Sequence, residues 1–306
     1  MHFVKGQWVL SVGLALATNA LRADPLDDWA LRNPFPTVYS LSGIAWGNDR
    51  FIAIGDAGTV LTSSNGVSWT QRKSITPNPI RAIAYGNGTF VAVGGEHTFM
   101  REYCIIQTSI DGTSWTERSS GLSIPLYGVT YANGIFFGVG EGGALVTSPD
   151  GKTWSQRATG VSAGLTSVAF GDGTFVAVGE GGTVLSSTEG VTWTQQKSHT
   201  SVSFAGVVQA DGLFVAVGGG AILTSPDGII WTQQVGGGPA VGGLVGVAYG
   251  NGTFVGFEPL EYGFYWTSTN GISWKRENTG VKPANITDLT YGNGQFVAVG
   301  TSGTIL

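Results

Sequence analysis

Short apolar runs separated by glycine-containing turns repeat along the whole chain, with a period of about forty residues. The clearest copy occupies residues 165–196 and predicts four strands, at 165–170, 174–178, 183–187 and 191–195. The turns between them are Asp-Gly, Gly-Gly and Glu-Gly sequences, and such pairs accept the positive φ angles of tight hairpins. The first two strands are apolar on both faces, which is typical of strands that are covered on both sides.

Two aromatic phrases mark every copy of the repeat. Seven of the ten tryptophans stand at the same place in it, namely Trp29, Trp69, Trp115, Trp154, Trp193, Trp231 and Trp274. Seven hairpin phrases of the type Tyr-Gly-Asn-Gly-Thr-Phe begin at Trp46, Tyr85, Tyr131, Phe170, Gln209, Tyr249 and Tyr291. A period of this length filled with β-forming residues predicts an all-β fold, a seven-bladed β-propeller of four-stranded antiparallel blades.

The two ends of the sequence supply complementary parts of one repeat. The last repeat stops in its third strand at Ile305-Leu306, whereas Asp28-Trp29-Ala30-Leu31-Arg32 has the form of a fourth strand. We therefore predict that residues 27–33 complete the last blade and that this pairing closes the ring, which removes exposed strand edges. The alternative is a fragment of a longer protein whose last blade is cut.

The innermost strand of each repeat has small residues on one face and Ile, Val or Leu on the other, as close packing around an axis requires. At one small position the first six repeats carry Gly43, Ala82, Gly128, Ser167, Gly206 and Gly246. The last repeat carries Asp288 there, a clear departure.

The N-terminus has the composition of a secretory signal. A single charge, Lys5, precedes an apolar stretch from Trp8 to Ala17 that is too short to span a bilayer well. We predict a signal peptide at 1–23, cleaved after Ala20 or Ala23, and one propeller domain at 24–306. The protein would then be exported to the periplasm, the cell surface or the medium, with no membrane span left after cleavage.

Charge and cysteine content narrow the partners. The chain has 20 acidic against 15 basic residues, and removal of residues 1–23 would make it more acidic, which argues against a nucleic-acid partner. Cys104 is the only cysteine and is interpreted as a small apolar filler, or otherwise as an intermolecular bridge. His2, His97 and His199 are scattered, so neither a metal site nor a cofactor is expected.

The turn before each tryptophan carries a further motif, Ser-x-Asp-Gly-x-Thr-Trp. Copies run over 109–115, 148–154, 187–193, 225–231 and 268–274, with a shorter one at 64–69. The motif resembles the Asp-box (bacterial neuraminidase, BNR) repeat, with one residue fewer between Asp and Gly. The resemblance covers about residues 27–306 and implies an exported bacterial propeller whose Asp-boxes are structural. That group includes sialidases, other glycan-cleaving enzymes, sortilin-type receptors and a photosystem assembly factor.

The residues argue against most of the enzymes in that group. A sialidase resemblance implies three axial arginines, yet only Arg81 falls on a predicted inner strand. Other glycosidases need two carboxylates flanking the scissile bond, for which Asp288 could pair with Asp56 or Glu258. No catalytic residue is therefore assigned, and a binding role is favoured over an enzymatic one.

Loops that vary between repeats indicate where binding would occur. A four-strand meander places the second-to-third turns and the links between blades on one face, and there the second and sixth repeats insert residues 96–103 and 258–265. The ligand-binding residues predicted on this face are Asp56, Arg81, Glu96, His97, Arg101, Tyr103, Tyr127, Glu141, Glu180, Glu258, Tyr262, Tyr265 and Asp288. Acids in register around one axis could focus a field, although solvated turn carboxylates would give the same pattern.

The combined prediction is an exported, non-catalytic binding or assembly module that uses these loops to bind a protein or a glycan. The alternative is a glycan-active hydrolase or lyase with an axial carboxylate site. A third possibility is a purely architectural surface protein.

Overall fold

The computed structural model describes residues 26, 29–32, 36–74, 76–98, 101–234, 243–259 and 263–306, without the side chains of 97, 98, 101 and 102. Within these ranges the chain is an all-β propeller of antiparallel blades. No helix in the described ranges is long and apolar enough to cross a bilayer. The predicted signal at 1–23 lies outside them.

Six blades each contain four strands. Blade one has β1 (Leu41–Gly47), β2 (Arg50–Gly55), β3 (Val60–Ser63) and β4 (Thr70–Arg72), and blade two has β5 (Ile80–Gly86), β6 (Thr89–Thr98), β7 (Arg101–Ser109) and β8 (Thr116–Arg118). Blade three has β9 (Leu126–Ala132), β10 (Ile135–Gly140), β11 (Leu145–Ser148) and β12 (Ser155–Gln156), and blade four has β13 (Leu165–Gly171), β14 (Thr174–Gly179), β15 (Val184–Ser187) and β16 (Thr194–Gln196). Blade five has β17 (Gly206–Ala210), β18 (Leu213–Gly218), β19 (Ala221–Ser225) and β20 (Thr232–Gln233), and blade six has β21 (Val247–Gly250), β22 (Thr253–Phe257), β23 (Phe264–Ser268) and β24 (Lys275–Asn278).

The prediction of seven four-stranded blades is wrong in its count. After blade six the described residues form only a two-stranded sheet, β25 (Ile286–Gly292) and β26 (Gln295–Gly300), which we call the terminal hairpin. After the next turn, Ile305 forms a single bridge with Val299 and is not part of a further strand. The N-terminal segment forms no strand among the described residues and contributes one backbone bond, from Arg32 N–H to Ile305 O (3.0 Å).

The terminal hairpin nevertheless lies between blade six and blade one. Thr287 Oγ1 donates to Leu41 O (2.6 Å), and Asp288 Oδ2 accepts from Ile44 N–H (2.9 Å). On its other side the hairpin shares an apolar cluster with blade six, against which Trp29 of the N-terminal segment is packed. Trp29 makes an edge contact with Phe257 at 5.0 Å between ring centres, so the N-terminal segment covers the hairpin and blade six together.

Blade four shows how closely the pattern anticipates a blade. The first two strands match the predicted 165–170 and 174–178 within one residue, and β15 starts one residue later than predicted. A single turn of 3₁₀ helix at Glu180–Gly182 fills the predicted Glu-Gly-Gly turn, and similar turns occur at Asp56–Gly58, Glu141–Gly143 and Thr301–Gly303. The fourth strand starts at Thr194, three residues later than predicted, because the preceding residues belong to the tight turn.

The middle strands of the blades form the core, as their apolar faces predict. Phe175, Val176, Ala177 and Val178 of β14 are at most 1% exposed, and the corresponding residues of the other blades are similarly buried. Full burial of an aliphatic or aromatic side chain contributes about 2 kcal/mol, so these buried strands stabilise the fold.

The inner strands end in a ring of large side chains that pack from blade to blade, aromatic in every blade except blade five, which has Gln209. A Cβ added to Gly47 of blade one would lie 2.1 Å from Tyr85 of blade two, and one added to Gly292 of the terminal hairpin would lie 2.2 Å from Trp46 of blade one. At these two places the neighbouring aromatic ring occupies the space that a side chain would need, whereas blades three and five have Ala132 and Ala210 at the equivalent position. The same aromatic–glycine contact therefore joins blade one to blade two and the terminal hairpin to blade one.

The turns between third and fourth strands carry the Ser-x-Asp-Gly motif and hold themselves together. In blade two, Asp111 Oδ1 accepts from the N–H groups of Thr113 (2.8 Å) and Ser114 (2.9 Å), and Ser109 Oγ accepts from Gly112 N–H (2.8 Å). Trp115 Nε1 donates to Gly112 O (3.3 Å). A hydrogen bond from the Thr113 hydroxyl, followed by those from the two N–H groups, holds the pKa of Asp111 well below its usual range. These carboxylates are occupied by their own turns.

Candidate binding site at one end of the propeller axis

The two ends of the axis differ, and we name them by their loops. The turn face carries the first-to-second and third-to-fourth turns of each blade, and the mouth face carries the second-to-third turns and the links between blades. An open cavity of about 270 Å³ lies on the axis towards the mouth face. Its walls are the first halves of the inner strands, and its polar lining includes Arg81, Tyr127, Thr166, Ser167 and Asp288.

The first residue of the cavity wall differs from blade to blade. Three hydroxyls at this position join neighbouring blades: Ser42 Oγ donates to Ile80 O, Thr166 Oγ1 to Phe204 O (2.9 Å) and Thr287 Oγ1 to Leu41 O (2.6 Å). Arg81 and Tyr127 take the same position in blades two and three. They are too long for this role, so they project into the mouth of the cavity.

Arg81 and Tyr127 form a polar cluster with Glu141. The Tyr127 hydroxyl donates to Glu141 Oε2 at 3.4 Å, and the guanidinium carbon of Arg81 lies 5.8 Å from the centre of the Tyr127 ring. Arg81 Nε donates to Gly95 O (3.1 Å), which holds the side chain against the base of the β6–β7 hairpin. Burial, and then the charge of Glu141, raise the pKa of Tyr127 above its ordinary value, so it remains a neutral donor.

Asp288 is the carboxylate of the cavity wall. Its Oδ2 accepts from Ile44 N–H (2.9 Å) and its Oδ1 from Leu289 N–H (2.8 Å). Asp288 lines the cavity and is partly buried. Burial raises the pKa of Asp288 to about 7, against the opposing effect of the two N–H groups. The group therefore changes charge near neutral pH.

Backbone N–H groups also line the axis. The N–H of Ile44 is bound by Asp288 in the terminal hairpin, and that of Val207 is bound by Ser167 Oγ in blade four (3.3 Å). Ile83, Val129 and Val168 hold the same register position in their strands, so their N–H groups also point towards the axis. The N–H groups of Ile83, Val129 and Val168 can donate to a carbonyl oxygen or to water.

The predicted ring of acids is only partly assembled at the mouth. The charges of Glu141 and Glu180 both raise the pKa of Tyr127. Glu180 Oε2 also accepts from Gly164 N–H (3.1 Å). Asp56 begins the equivalent 3₁₀ turn of blade one and is exposed. Glu96 lies on the extended part of β6, where its Oε2 accepts from the Tyr103 hydroxyl (3.2 Å). The predicted insertion at 96–103 is thus not a loop but a hairpin that extends both strands.

Two predicted site residues point elsewhere. Glu258 is 6% exposed and forms a two-point ion pair with Arg276, with Nε–Oε1 and NH2–Oε2 distances of 2.8 Å each. It also accepts from Trp266 Nε1 (2.7 Å). Burial opposes its ionisation, but the bonds from Arg276 and Trp266 bring its pKa below the usual value. Tyr265 is buried and its hydroxyl donates to Leu26 O (3.2 Å), so it anchors the N-terminal segment.

Three predicted residues have no described side chain. Tyr262 lies outside the described residues, and His97 and Arg101 are described only by their backbone, in β6 and β7. No group of three His, Cys, Asp or Glu side chains that could hold a metal occurs in the described part of the chain.

Ser167 and the axial N–H groups were not singled out from the sequence. Ser167 had a visible signal, since it is the other polar residue at the position of Asp288. The N–H groups had none, because their direction depends on strand register, which residue type does not reveal.

Among the described residues that line the cavity, Asp288 is the one carboxylate, whereas glycosidases use two that flank the bond. The mouth combines a cation, a phenol, carboxylates and backbone donors at an open edge, which suits a ligand with several polar groups.

No protein-family model and no curated protein matches the chain. Solved structures show the fold. YCF48 bound to a D1 peptide has 17% sequence identity and a TM-score of 0.68, over 89% of this chain and 92% of that one. YCF48 from Cyanidioschyzon merolae has 17% identity and a TM-score of 0.67, over 91% and 98%. A catalytically inactive virginiamycin B lyase from Staphylococcus aureus with quinupristin has 12% identity and a TM-score of 0.75, over 90% and 97%.

Proposed function

We propose that this chain is an exported, non-catalytic binding or assembly module, and that it binds a polypeptide segment at the mouth of its axis. The observation that carries the proposal is the open axial cavity, at whose mouth Arg81 and Tyr127 replace the hydroxyls that join other blades. At this position three blades have a hydroxyl that bonds the next blade, whereas blades two and three have the large side chains of Arg81 and Tyr127, which contact each other. Large aromatic and arginine side chains are also the residue types that dominate binding energy at protein interfaces.

The length and position of the β6–β7 hairpin favour a polypeptide as the ligand. It extends beyond the length of the corresponding hairpins, to Thr98 and Arg101, and stands beside Arg81. Together the hairpin and the cavity mouth form an edge and a recess, which suit an extended chain better than a small isolated molecule. A similar fold binding a D1 peptide, in YCF48, is consistent with this choice.

Export and an Asp-box origin belong to the same proposal. The apolar stretch at 8–17 and the repeated Ser-x-Asp-Gly turns motivate them. The test of export is to express the full chain in a Gram-negative host and to sequence the N-terminus of the periplasmic product. A product that starts at residue 21 or 24 supports export, and a cytoplasmic product that retains residue 1 contradicts it.

The test of the binding role is selection from a random peptide display library, with a glycan array run beside it. Wild-type protein, an Arg81→Ala/Tyr127→Ala double variant and a Lys152→Ala control on the turn face are compared. We expect selected peptides whose binding weakens at least tenfold in the double variant, about 1.4 kcal/mol, and is unchanged in the control. If glycan binding is lost in the double variant, the ligand of the mouth is a sugar and not a polypeptide. If binding is the same in the double variant and the wild type, the site lies elsewhere on the protein.

A further inference from the structure

Asp288 accepts a hydrogen bond from a backbone N–H on the axis, and elsewhere in the fold an uncharged side chain makes the same contact. In blade four Ser167 occupies the equivalent position, and its hydroxyl accepts from Val207 N–H just as Asp288 accepts from Ile44 N–H. A hydroxyl therefore suffices to satisfy an axial N–H between neighbouring inner strands. The charge of Asp288 is costly to enclose and is not explained by this task.

The carboxylate has no cation partner among the described residues. Its two hydrogen bonds come from backbone N–H groups, one to each oxygen. An ionised carboxylate offers about four lone-pair positions, so about two remain available. Asp288 lines the cavity, and the available positions can therefore meet a ligand there.

The rest of the cavity suits the end of a chain. A volume of about 270 Å³ is below the range of about 300 to 1,000 Å³ for drug-sized pockets, so a slender group fits while the rest of the ligand stays outside. Gly206 and Gly246 leave the wall open on the side of blades five and six. Thr166 and the axial N–H groups offer hydrogen bonds to a ligand's polar atoms.

The charges around Asp288 favour a cation at the mouth. Arg81 of blade two is the positive group of the lining and Tyr127 of blade three is its phenol, while Ser42 of blade one, Thr166 of blade four and the walls of blades five and six bring no charge. Arg81 is held aside by Gly95 O, and Glu141 stands beside Tyr127. A cation that passes the mouth therefore meets the carboxylate of Glu141 at the rim and that of Asp288 inside.

We propose that the axial cavity binds a primary ammonium group, with Asp288 as its counter-ion. The group is the α-ammonium of a polypeptide N-terminus or the ε-ammonium of a lysine. This inference rests on the proposed polypeptide function and specifies what enters the cavity. The peptide carbonyl next to the ammonium would accept from the axial N–H groups. Because only ionised Asp288 pairs with a cation, binding should weaken as pH falls below about 7.

Small probes test the inference without knowledge of the natural ligand. Calorimetric titration with n-butylammonium represents lysine and titration with alaninamide represents an N-terminus; N-butylacetamide and N-acetylalaninamide are the neutral controls. We expect ammonium probes to bind, the neutral ones to bind at least tenfold more weakly, and affinity to fall roughly tenfold per pH unit below the Asp288 pKa. The stronger of the two ammonium probes identifies the source of the group.

Two variants isolate the carboxylate. Asp288→Asn retains an acceptor without charge, and Asp288→Ser copies the residue that blade four uses at this place; folding of both is checked by thermal unfolding. Loss of ammonium binding and of its pH dependence in either folded variant supports the inference. Equal binding by wild type and variants, or no ammonium binding at all, overturns it. Selected peptides that bind equally well after acetylation of all their amines would overturn the ammonium site while leaving the mouth as a polypeptide site.

Discussion

The two ends of the propeller axis are built from the same seven inner strands under opposite constraints. At the turn face each strand ends in a residue that packs on the neighbouring blade, as Tyr85 does on Gly47 and Trp46 on Gly292. At the mouth face the first cavity-lining residues are Ser42, Arg81, Tyr127, Thr166, Ala205, Val245 and Thr287. The repeated residues at the turn face join the blades, and the varied residues at the mouth face are the reason that we propose recognition there.

The turn face is not free of exposed apolar residues. Among the described residues, six of the eight large exposed hydrophobic residues lie in its third-to-fourth turns, namely Val67, Ile110, Val191, Ile229, Ile230 and Ile272. Apart from the adjacent pair Ile229 and Ile230, each belongs to a different blade. The turn face is thus the alternative surface for binding, and hydrogen–deuterium exchange distinguishes binding there from binding at the mouth.

The largest effect should come from crowding the turn-face end. Gly292→Ala would place a Cβ 2.2 Å from Cγ of Trp46, where the terminal hairpin meets blade one. We expect a loss of about 3 kcal/mol or more in the free energy of unfolding, since an overpacked site must shift its backbone. Urea denaturation measures it. Gly246→Ala near the mouth is the matched control, because its Cβ would meet nothing nearer than 3.6 Å; equal losses in both would contradict the difference between the ends.

Asp288 should make the mouth end sensitive to pH. Its folded pKa of about 7 lies above the unfolded value of about 3.9, so its contribution to stability is present below pH 4 and is lost as pH rises through 7. Asp288→Asn should therefore raise the free energy of unfolding by a few kcal/mol at pH 8, on the order of the three-unit pKa difference, and much less at pH 4. Denaturation of both proteins at the two pH values measures it, and a gain that is the same at both would contradict the assignment.

One turn departs from the regularity of the turn face. Glu189 in blade four replaces the motif's Asp and bonds the Thr192 hydroxyl, and Trp193 Nε1 has no partner among the described residues. The shorter carboxylate of Glu189→Asp should reach two backbone N–H groups, as Asp227 does in blade five, and stabilise the protein by about 1 kcal/mol. Thermal unfolding measures it. Asp227→Glu is the reverse control, and a gain there as well would contradict the explanation.

The smallest effect concerns a link on the mouth face. His199 has a φ of +58°, whereas the equivalent residues Gly121, Gly160 and Gly280 are glycines with φ of +71°, +74° and +75°. His199→Gly should relieve left-handed strain and stabilise the protein by about 0.5 kcal/mol, the glycine's own entropy offsetting part of the gain. Differential scanning calorimetry measures the shift. His199→Ala retains the strain and should bring no gain; a gain of equal size there would assign the effect to the imidazole instead.

The sequence predicted the repeat unit well and the closure of the ring less well. Strand bounds in blade four follow from Asp-Gly and Gly-Gly turns, which act locally, so pattern alone suffices. The count of complete blades failed because pairing of 305–306 with the N-terminal segment is long-range, and similarity of Trp29 to Trp69 could not show how many bonds would form. For the site, the sequence singled out Asp288 by its departure from the small residues of the other repeats, and Arg81 and Tyr127 by their place at the start of inner strands; their role in binding stays a prediction. The ion pair of Glu258 with Arg276, 18 residues further along, could not be inferred from the repeat pattern.

Hydrogen–deuterium exchange with a bound peptide tests the division between the two ends most directly. A peptide selected on the wild-type protein is added, and amide protection is compared between the starts of β5, β9, β13 and β25 and the third-to-fourth turns. We predict slowed exchange around Arg81, Tyr127 and Asp288, with the turns at 64–68 and 226–230 unchanged. Protection of those turns without protection at the mouth would show that recognition lies on the turn face and would contradict the account.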